Sequence, residues 1–309
     1  MNLVWINNKI KDFNTATVPA NCLGFLLGAS VFEAVRVNWN AEKQTYCVYN
    51  VEKHVKRLFD SMKIMRMMPN FNHEFVKGIV FKLVKEWDQK MDGYIRITSF
   101  IDSFSPGSSV YDPNCVHTSL MVSIVDSPVV QDNIDISCCI SSWKRISDNA
   151  MPPRVKSACN YENTRLAGFE AKLNGFDNAI FINESGKVSE AAESALFLFD
   201  SSGMLVTPTV NSDILCSINR ELIKQIWECC FHGTCIERTI DRTELYLASE
   251  VFLCNTAKLI RSVIDIDHIS IGDGSHPRTD MIMKKYIDII RGNDDRFISN
   301  SIFIRTKCS

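Results

Sequence analysis

An amine, a phenol and a carboxylate stand within one stretch of this chain, and together they could carry chemistry. From Pro152 to Glu190 it reads PPRVKSACNYENTRLAGFEAKLNGFDNAIFINESGKVSE. Lys156 follows two prolines and a short basic turn at the mouth of an amphipathic helix. Tyr161 comes shortly after it, and Glu190 closes a hairpin-like segment beyond the helix. A lysine held at such a boundary can be desolvated, which lowers its pKa and leaves the amine nucleophilic. A fixed carboxylate and phenol nearby would suit a pyridine aldehyde bound to that lysine. Singly, each residue also has a structural reading: a solvated lysine, a core tyrosine, a surface glutamate.

The elements that must position these groups follow from periodicity. Leu3 to Ile10 reads as strand, Asn7-Asn8 turn and returning strand. The second half of Leu23–Val37 reads as a buried strand. Its odd member, Arg36, is by itself a strand-end arginine in water, or alternatively a cation near an anionic ligand. A strand at Thr45–Tyr49 leads into a helix from Val51 to about Met67 with Val55, Leu58, Phe59 and Met62 as its stripe. Arg57 lies off that stripe, either solvated or free to offer its planar fork to a phosphate. A helix over His73–Trp87 is expected to turn Phe75, Ile79, Leu83 and Val84 inward. The strand from Gly93 alternates, putting Tyr94 and Arg96 on one face, a pair suited to a carboxylate.

Ser103–His117 is loop-like, and residues 126–133 form a candidate linker. This implies a domain over 1–125, an interdomain loop at 126–133 and a larger domain over 134–309. The helix after Lys156 stops near Asn174-Gly175, and two hairpins follow through Asn-Glu-Ser-Gly and Asp-Ser-Ser-Gly. Ile218 and Asn219 enter a helix whose N-terminal N–H groups could serve an anion. Thr256 and Ala257 follow a strand and offer a second such place. A last helix covers about Pro277–Ile290, and the tail to Ser309 reads as an appendage.

Composition sets outer bounds. The chain has 309 residues, 46% hydrophobic and 23% charged, as in a globular protein with a full core. A net charge of -2 argues against a general nucleic-acid or anionic-membrane surface. No apolar run nears the length of a membrane span, and the opening MNLVWINNKIKDFN lacks the pattern of a secretory signal. The 12 cysteines include no Cys-x-x-Cys, so reduced thiols in a cytoplasmic protein are expected, mainly as small buried hydrophobes, and no metal site. There is no Gly-rich nucleotide fingerprint, Gly-x-Ser-x-Gly elbow or His-Glu-x-x-His pair.

Taken in order, the chain resembles the fold-type IV pyridoxal-phosphate enzymes, most closely the branched-chain-amino-acid aminotransferase group of class IV aminotransferases. The resemblance runs from about Trp5 to Gly272. Its carriers are Ser30-Val-Phe-Glu-Ala-Val-Arg36, Arg57-Leu, Tyr94-Ile-Arg96, Lys156-Ser-Ala-Cys-Asn-Tyr161, Val188-Ser-Glu190, the segment from Glu244 to Phe252, and Asn255-Thr256-Ala257.

This resemblance implies a two-domain α+β or α/β fold of the D-amino-acid-aminotransferase-like type, with pyridoxal 5'-phosphate as cofactor. It implies ping-pong exchange of an amino group between an amino acid, or related amine, and a 2-oxo acid. Lys156 would form the Schiff base and move the proton, and Glu190 would pair with the pyridine nitrogen. Tyr161 would hydrogen-bond the ring's phenolic oxygen. Arg57, the backbone at Ile218 and Asn219, and Thr256 would hold the phosphate. Tyr94, with the backbone at Thr256-Ala257, would take the substrate carboxylate, Arg96 and Arg36 would line the substrate or 2-oxoglutarate side, and Phe32 would wall the pocket. A homodimer or larger homo-oligomer is implied, with active sites at the interface of the two domains and completed by the neighbouring subunit. Aminodeoxychorismate-lyase-like or D-amino-acid aminotransferase activity on the same scaffold, or a non-catalytic cofactor-binding member, are the alternatives. The chain departs from the family at Ala34, usually glycine, and Leu27, often tyrosine. It departs also at Ser217 and Asn219, where Gly and Thr are usual, and at Ala195, where the pattern has asparagine.

Overall fold

Alternating and helical periodicities are realised as sixteen strands, seven α-helices and two short 3-10 helices among the described residues of the computed structural model, which are 2–104, 111–112, 116–129 and 133–305. In chain order they begin with β1 (Leu3–Ile6), β2 (Lys9–Asp12), α1 (Leu23–Leu26), β3 (Ser30–Asn40), β4 (Thr45–Tyr49), α2 (Val51–Ile64), α3 (His73–Trp87), β5 (Gly93–Phe104) and β6 (Val116–Asp126). Then come β7 (Ile136–Ile140), α4 (Asn160–Leu173), β8 (Asn178–Ile182), β9 (Val188–Ala191), β10 (Ala195–Phe199), β11 (Leu205–Thr207), α5 (Ile218–Phe231) and β12 (Cys235–Glu237). The last are α6 (Arg242–Leu247), β13 (Glu250–Asn255), β14 (Leu259–Ile266), β15 (Ile269–Ser270), α7 (Pro277–Ile290) and β16 (Ser301–Arg305). Within the loop expected at Ser103–His117, and within the linker, residues 105–110, 113–115 and 130–132 lie outside the described residues.

Two compact units are formed, and they interleave in sequence where the sequence reading places a single cut. The first holds Met1–Val129, Val155–Cys159 and Asp288–Ser309; the second holds Val130–Arg154 and Asn160–Ile287. The five residues around Lys156 therefore belong with the N-terminal elements.

The first unit is a seven-stranded sheet in the order β16-β4-β3-β5-β6-β1-β2, with antiparallel neighbours throughout. Val31, Val35, Val37, Ile95 and Ile97 turn one face toward Val55, Leu58 and Met62 of α2 and Val80, Leu83 and Val84 of α3. Each such side chain removed from water contributes about 1.5–3 kcal/mol. Asn72 caps α3 by accepting the Phe75 N–H at 2.9 Å. That cap sets a helical phase in which Val76 and Val80 face the core, and Phe75 is 44% exposed rather than inward. Phe75 rests edge-on against Trp5 at 5.8 Å between centroids. Nor is the described part of the tail, to Arg305, an appendage. β16 pairs antiparallel with β4 from Ser301↔Tyr49 to Arg305↔Thr45, and Ile304 joins the core.

The second unit is a mixed sheet in the order β12-β11-β10-β13-β14-β7-β8-β9, with β15 paired to β14. Its β14–β7–β8 run is parallel. Ile180, Val188, Leu196, Leu198, Val251 and Leu253 fill its core. α4 ends at Leu173, and Gly175 at φ +84 makes the left-handed stop. The cysteines divide more evenly than expected: Cys22, Cys47, Cys138, Cys139 and Cys254 are buried, whereas Cys216 and Cys229 are exposed. Burial pushes the Cys254 thiol up to about 12, so it packs as an inert small hydrophobe. Among the described residues no helix is long and apolar enough to cross a membrane.

Candidate active site

β3 and β5 set half of the candidate residues by register. Phe32 stands opposite Thr98, Ala34 opposite Arg96, and Arg36 opposite Tyr94. Strand alternation then puts Phe32, Arg36, Tyr94 and Arg96 on one face and Glu33 with its valine neighbours on the other. Arg96 stacks on Phe32 with its guanidinium carbon 3.7 Å from the ring centroid. Arg36 is buried, not a solvated strand end. Its guanidinium donates to the Ser127 backbone oxygen, to Ser127 Oγ at 3.4 Å and to Asn38 Oδ1 at 3.5 Å.

Lys156 is fastened to the same strand. The Phe32 N–H donates to its carbonyl at 2.9 Å, Ser157 bridges to Val31, and the Ala158 N–H donates to Ser30 O at 3.1 Å. Its own N–H reaches Ser61 Oγ on α2 at 3.4 Å. The backbone around this lysine is thus tied to β3 through an isolated bridge, and its Nζ lies 4.9 Å from the Phe32 ring centroid. Phe32, Arg96 and Lys156 are brought together.

Arg57 faces the helix-covered side. Its Nε donates to Glu33 Oε1 at 2.7 Å and its Nη2 to Oε2 at 2.8 Å, a two-bond fork that fixes the guanidinium plane. His54 Nδ1 meets Glu33 Oε2 at 2.8 Å. Glu33 is 0% exposed. Burial pushes its carboxyl up, but Arg57, and then His54, outweigh that and hold it at about 2. Burial pushes His54 down, which favours the neutral ring despite the hydrogen bond to Glu33. Glu33 and His54 are absent from the sequence-based set. Their available signal was a lone carboxylate on the core side of an apolar strand, and a histidine three positions before Arg57.

In the second unit Glu190, on β9, is buried and not a surface residue. Arg145 Nη2 lies 2.7 Å from its Oε1, and the Leu215 N–H donates to Oε2 at 3.2 Å. Arg145, equally buried, also donates from Nε to Asp213 O at 3.3 Å and lies 5.6 Å from the Phe181 ring. The sequence reading misses Arg145, because it sits in an irregular stretch with no period to mark it.

Ser217 caps α5 by accepting the Arg220 N–H at 3.2 Å. Ile218 and Asn219 are then the first two helical residues, whose N–H groups have no intrahelical acceptor. The Asn219 amide donates to Thr256 Oγ1 at 3.0 Å, joining the start of α5 to the end of β13, where Ala257 follows. Tyr161 stands in the first turn of α4, on the rim of a cavity of about 490 Å³ also lined by Phe169, Ala192 and Lys258. Among the described residues no cluster of His, Cys, Asp or Glu is arranged to hold a metal ion.

The family model for class IV amino-transferases matches residues 30–266. A probable branched-chain-amino-acid aminotransferase from Aquifex aeolicus is 30% identical, over 96% of this chain and 95% of the relative. This chain is a class IV aminotransferase. The branched-chain-amino-acid aminotransferase of Escherichia coli K12 is 28% identical, over 94% of each chain. The aminotransferase also superimposes on the branched-chain enzyme of Thermobaculum terrenum in its pyridoxal-phosphate form, with a TM-score of 0.90, 31% identity and 98% of both chains covered. The T.th. branched-chain amino acid aminotransferase complexed with N-(5'-phosphopyridoxyl)-L-glutamate gives 0.89 at 25% identity, again over 98% of both. The fold is therefore fold type IV, and the enzyme depends on pyridoxal phosphate to transfer an amino group between an amino acid and a 2-oxo acid. Each unit carries donors of the chemistry that cofactor needs: the first a lysine amine beside Phe32, the second a buried carboxylate paired with an arginine and a helix start joined to a hydroxyl.

Proposed function

We propose that this aminotransferase exchanges amino groups between L-glutamate and branched aliphatic 2-oxo acids, with Lys156 as its catalytic base. Bound pyridoxal phosphate supplies an aldehyde for covalent capture of the amine and a ring that withdraws electrons from the reacting carbon. Lys156 would hold the cofactor by that aldehyde, and its Nζ would hold and move the substrate Cα proton. Glu190, held in place by Arg145 and the Leu215 N–H, would accept a hydrogen bond from the protonated ring nitrogen. Tyr161 donates to the ring's phenolic oxygen. Arg57, the N–H groups of Ile218 and Asn219, and Thr256 bind the phosphate. Tyr94 and the backbone at Thr256-Ala257 orient the substrate carboxylate. Arg96 and Arg36 serve the acidic end of glutamate, and Phe32 walls the side-chain pocket.

The observation that carries this reading is the anchorage of Lys156, whose backbone is bonded to β3 and α2 while its amine stands over Phe32. A catalytic amine needs that fixity, since a misplacement of about 1 Å costs roughly a hundredfold in rate. The substrate class is supported by what the similar enzymes are named for, and glutamate by the phosphopyridoxyl-L-glutamate complex of one of them. We also propose a cytoplasmic homodimer. The contiguous exposed side chains of Phe25, Leu26 and Leu27 support an interface.

The test is a visible absorbance spectrum before and after amino acids are added. The lysine-bound cofactor band should bleach with L-glutamate and with L-leucine or L-valine, and Lys156→Ala should lose turnover. Bleaching by D-amino acids alone, or release of pyruvate without an oxo-acid acceptor, would replace this reading with one of the alternative activities.

A further inference from the structure

Tyr286, on α7, lies outside every motif that carries the family resemblance, yet it bonds to Asn219, one of the candidate phosphate residues. Its side chain is 3% exposed. The phenol donates to Asn219 Oδ1 at 3.0 Å, and the other end of that amide donates to Thr256 Oγ1, also at 3.0 Å. A phenol, an amide and a hydroxyl thus form one chain across α7, α5 and the end of β13.

The sense of this chain has a consequence for ligand binding. A threonine hydroxyl has one proton to give. When it accepts from Asn219 Nδ2, that proton is directed at another acceptor. Were the amide turned over, Thr256 would donate inward and present only lone pairs, which repel an anion. Tyr286 holds the amide in the first sense by donating to Oδ1. The start of α5, where the N–H groups of Ile218 and Asn219 emerge, favours negative charge at the same place. Asparagine is suited to the task because it accepts at one end and donates at the other.

We infer that Tyr286 is a positioning residue for the cofactor's phosphate, acting through Asn219 to aim the Thr256 hydroxyl proton at it. The inference rests on the reading of Thr256 as a phosphate residue. It is tested on the full-chain enzyme by measuring the dissociation constants of pyridoxal phosphate and of pyridoxal, which lacks the phosphate, with thermal melting as a check on folding. Tyr286→Phe should weaken pyridoxal phosphate about three- to tenfold, as for loss of one aligned hydrogen bond, and leave pyridoxal unchanged. In a Thr256→Val background the same substitution should have no further effect, and Asn219→Ala should abolish it likewise. If Thr256→Val weakens pyridoxal phosphate selectively but Tyr286→Phe does not, the inference alone is overturned. Equal weakening of both ligands by Tyr286→Phe also overturns it, as that marks a structural role. If Thr256→Val fails to distinguish the two ligands, the phosphate reading and the inference fall together.

Discussion

Two ion pairs, the part-buried Arg57–Glu33 and the buried Arg145–Glu190, hold charged groups among the residues proposed to act on the cofactor. Buried pairs add little net stability, but breaking one leaves a stranded charge. Arg145→Met should therefore destabilise the enzyme by about 3–5 kcal/mol in urea unfolding, and adding Glu190→Gln should restore much of the loss. The Glu33 cluster also sets an acid limit. Both its titrating groups have folded pKa values below their unfolded ones, so their contribution is complete at neutral pH and is lost as pH falls. Melting temperature should begin to drop as pH passes below 6.5, when unfolded His54 gains a proton that the buried ring resists. It should drop further between about 4.5 and about 2, the unfolded and folded values of Glu33. Replacing His54 with glutamine should remove the upper part of this profile and leave the lower.

At the scale of elements, the edges and turns depend on particular residues. β16 covers the outer edge of β4, and ahead of it the Asn38 and Asn40 amides donate to the carbonyls of Ile290 and Arg291 at 3.0 and 2.9 Å. Ending the chain at Asn300 would uncover the β4 edge and delete Ile304 from the core. A lower melting temperature and concentration-dependent aggregation by light scattering are expected. Gly272 adopts φ +57, and a Cβ there would lie 2.2 Å from the Ser249 carbonyl oxygen, a backbone atom that cannot swing away. Gly272→Ala should cost about 1–3 kcal/mol in the same unfolding assay. Of these elements, the final helix is legible within its observed bounds. β16 is not, because a short strand after an irregular stretch is defined only by its distant partner.

For the whole molecule, family membership ties the chain to an established reaction and leaves its assembly as a proposal. Sedimentation of the enzyme should give a species twice the 35.1 kDa chain mass. Substituting Leu27, 61% exposed and one of the three contiguous apolar residues, with aspartate should shift it toward the monomer. An unchanged mass would remove that surface from the interface.

The sequence by itself determined the local periods, the turns and the order of the motif residues, since these depend on neighbours within a few positions. Helix and strand positions, the Tyr94–Arg96 face and the candidate lysine were legible for that reason. Only the tertiary structure decided which residues share an environment. It returned Val155–Cys159 and the C-terminal strand to the first unit, buried Arg36, and gave Arg57, Glu190 and Asn219 their partners in Glu33, Arg145 and Tyr286. Those partners lie 24, 45 and 67 positions away. A hydrogen bond between side chains so far apart leaves no period in the sequence, because the fold, not the spacing, brings its two ends together.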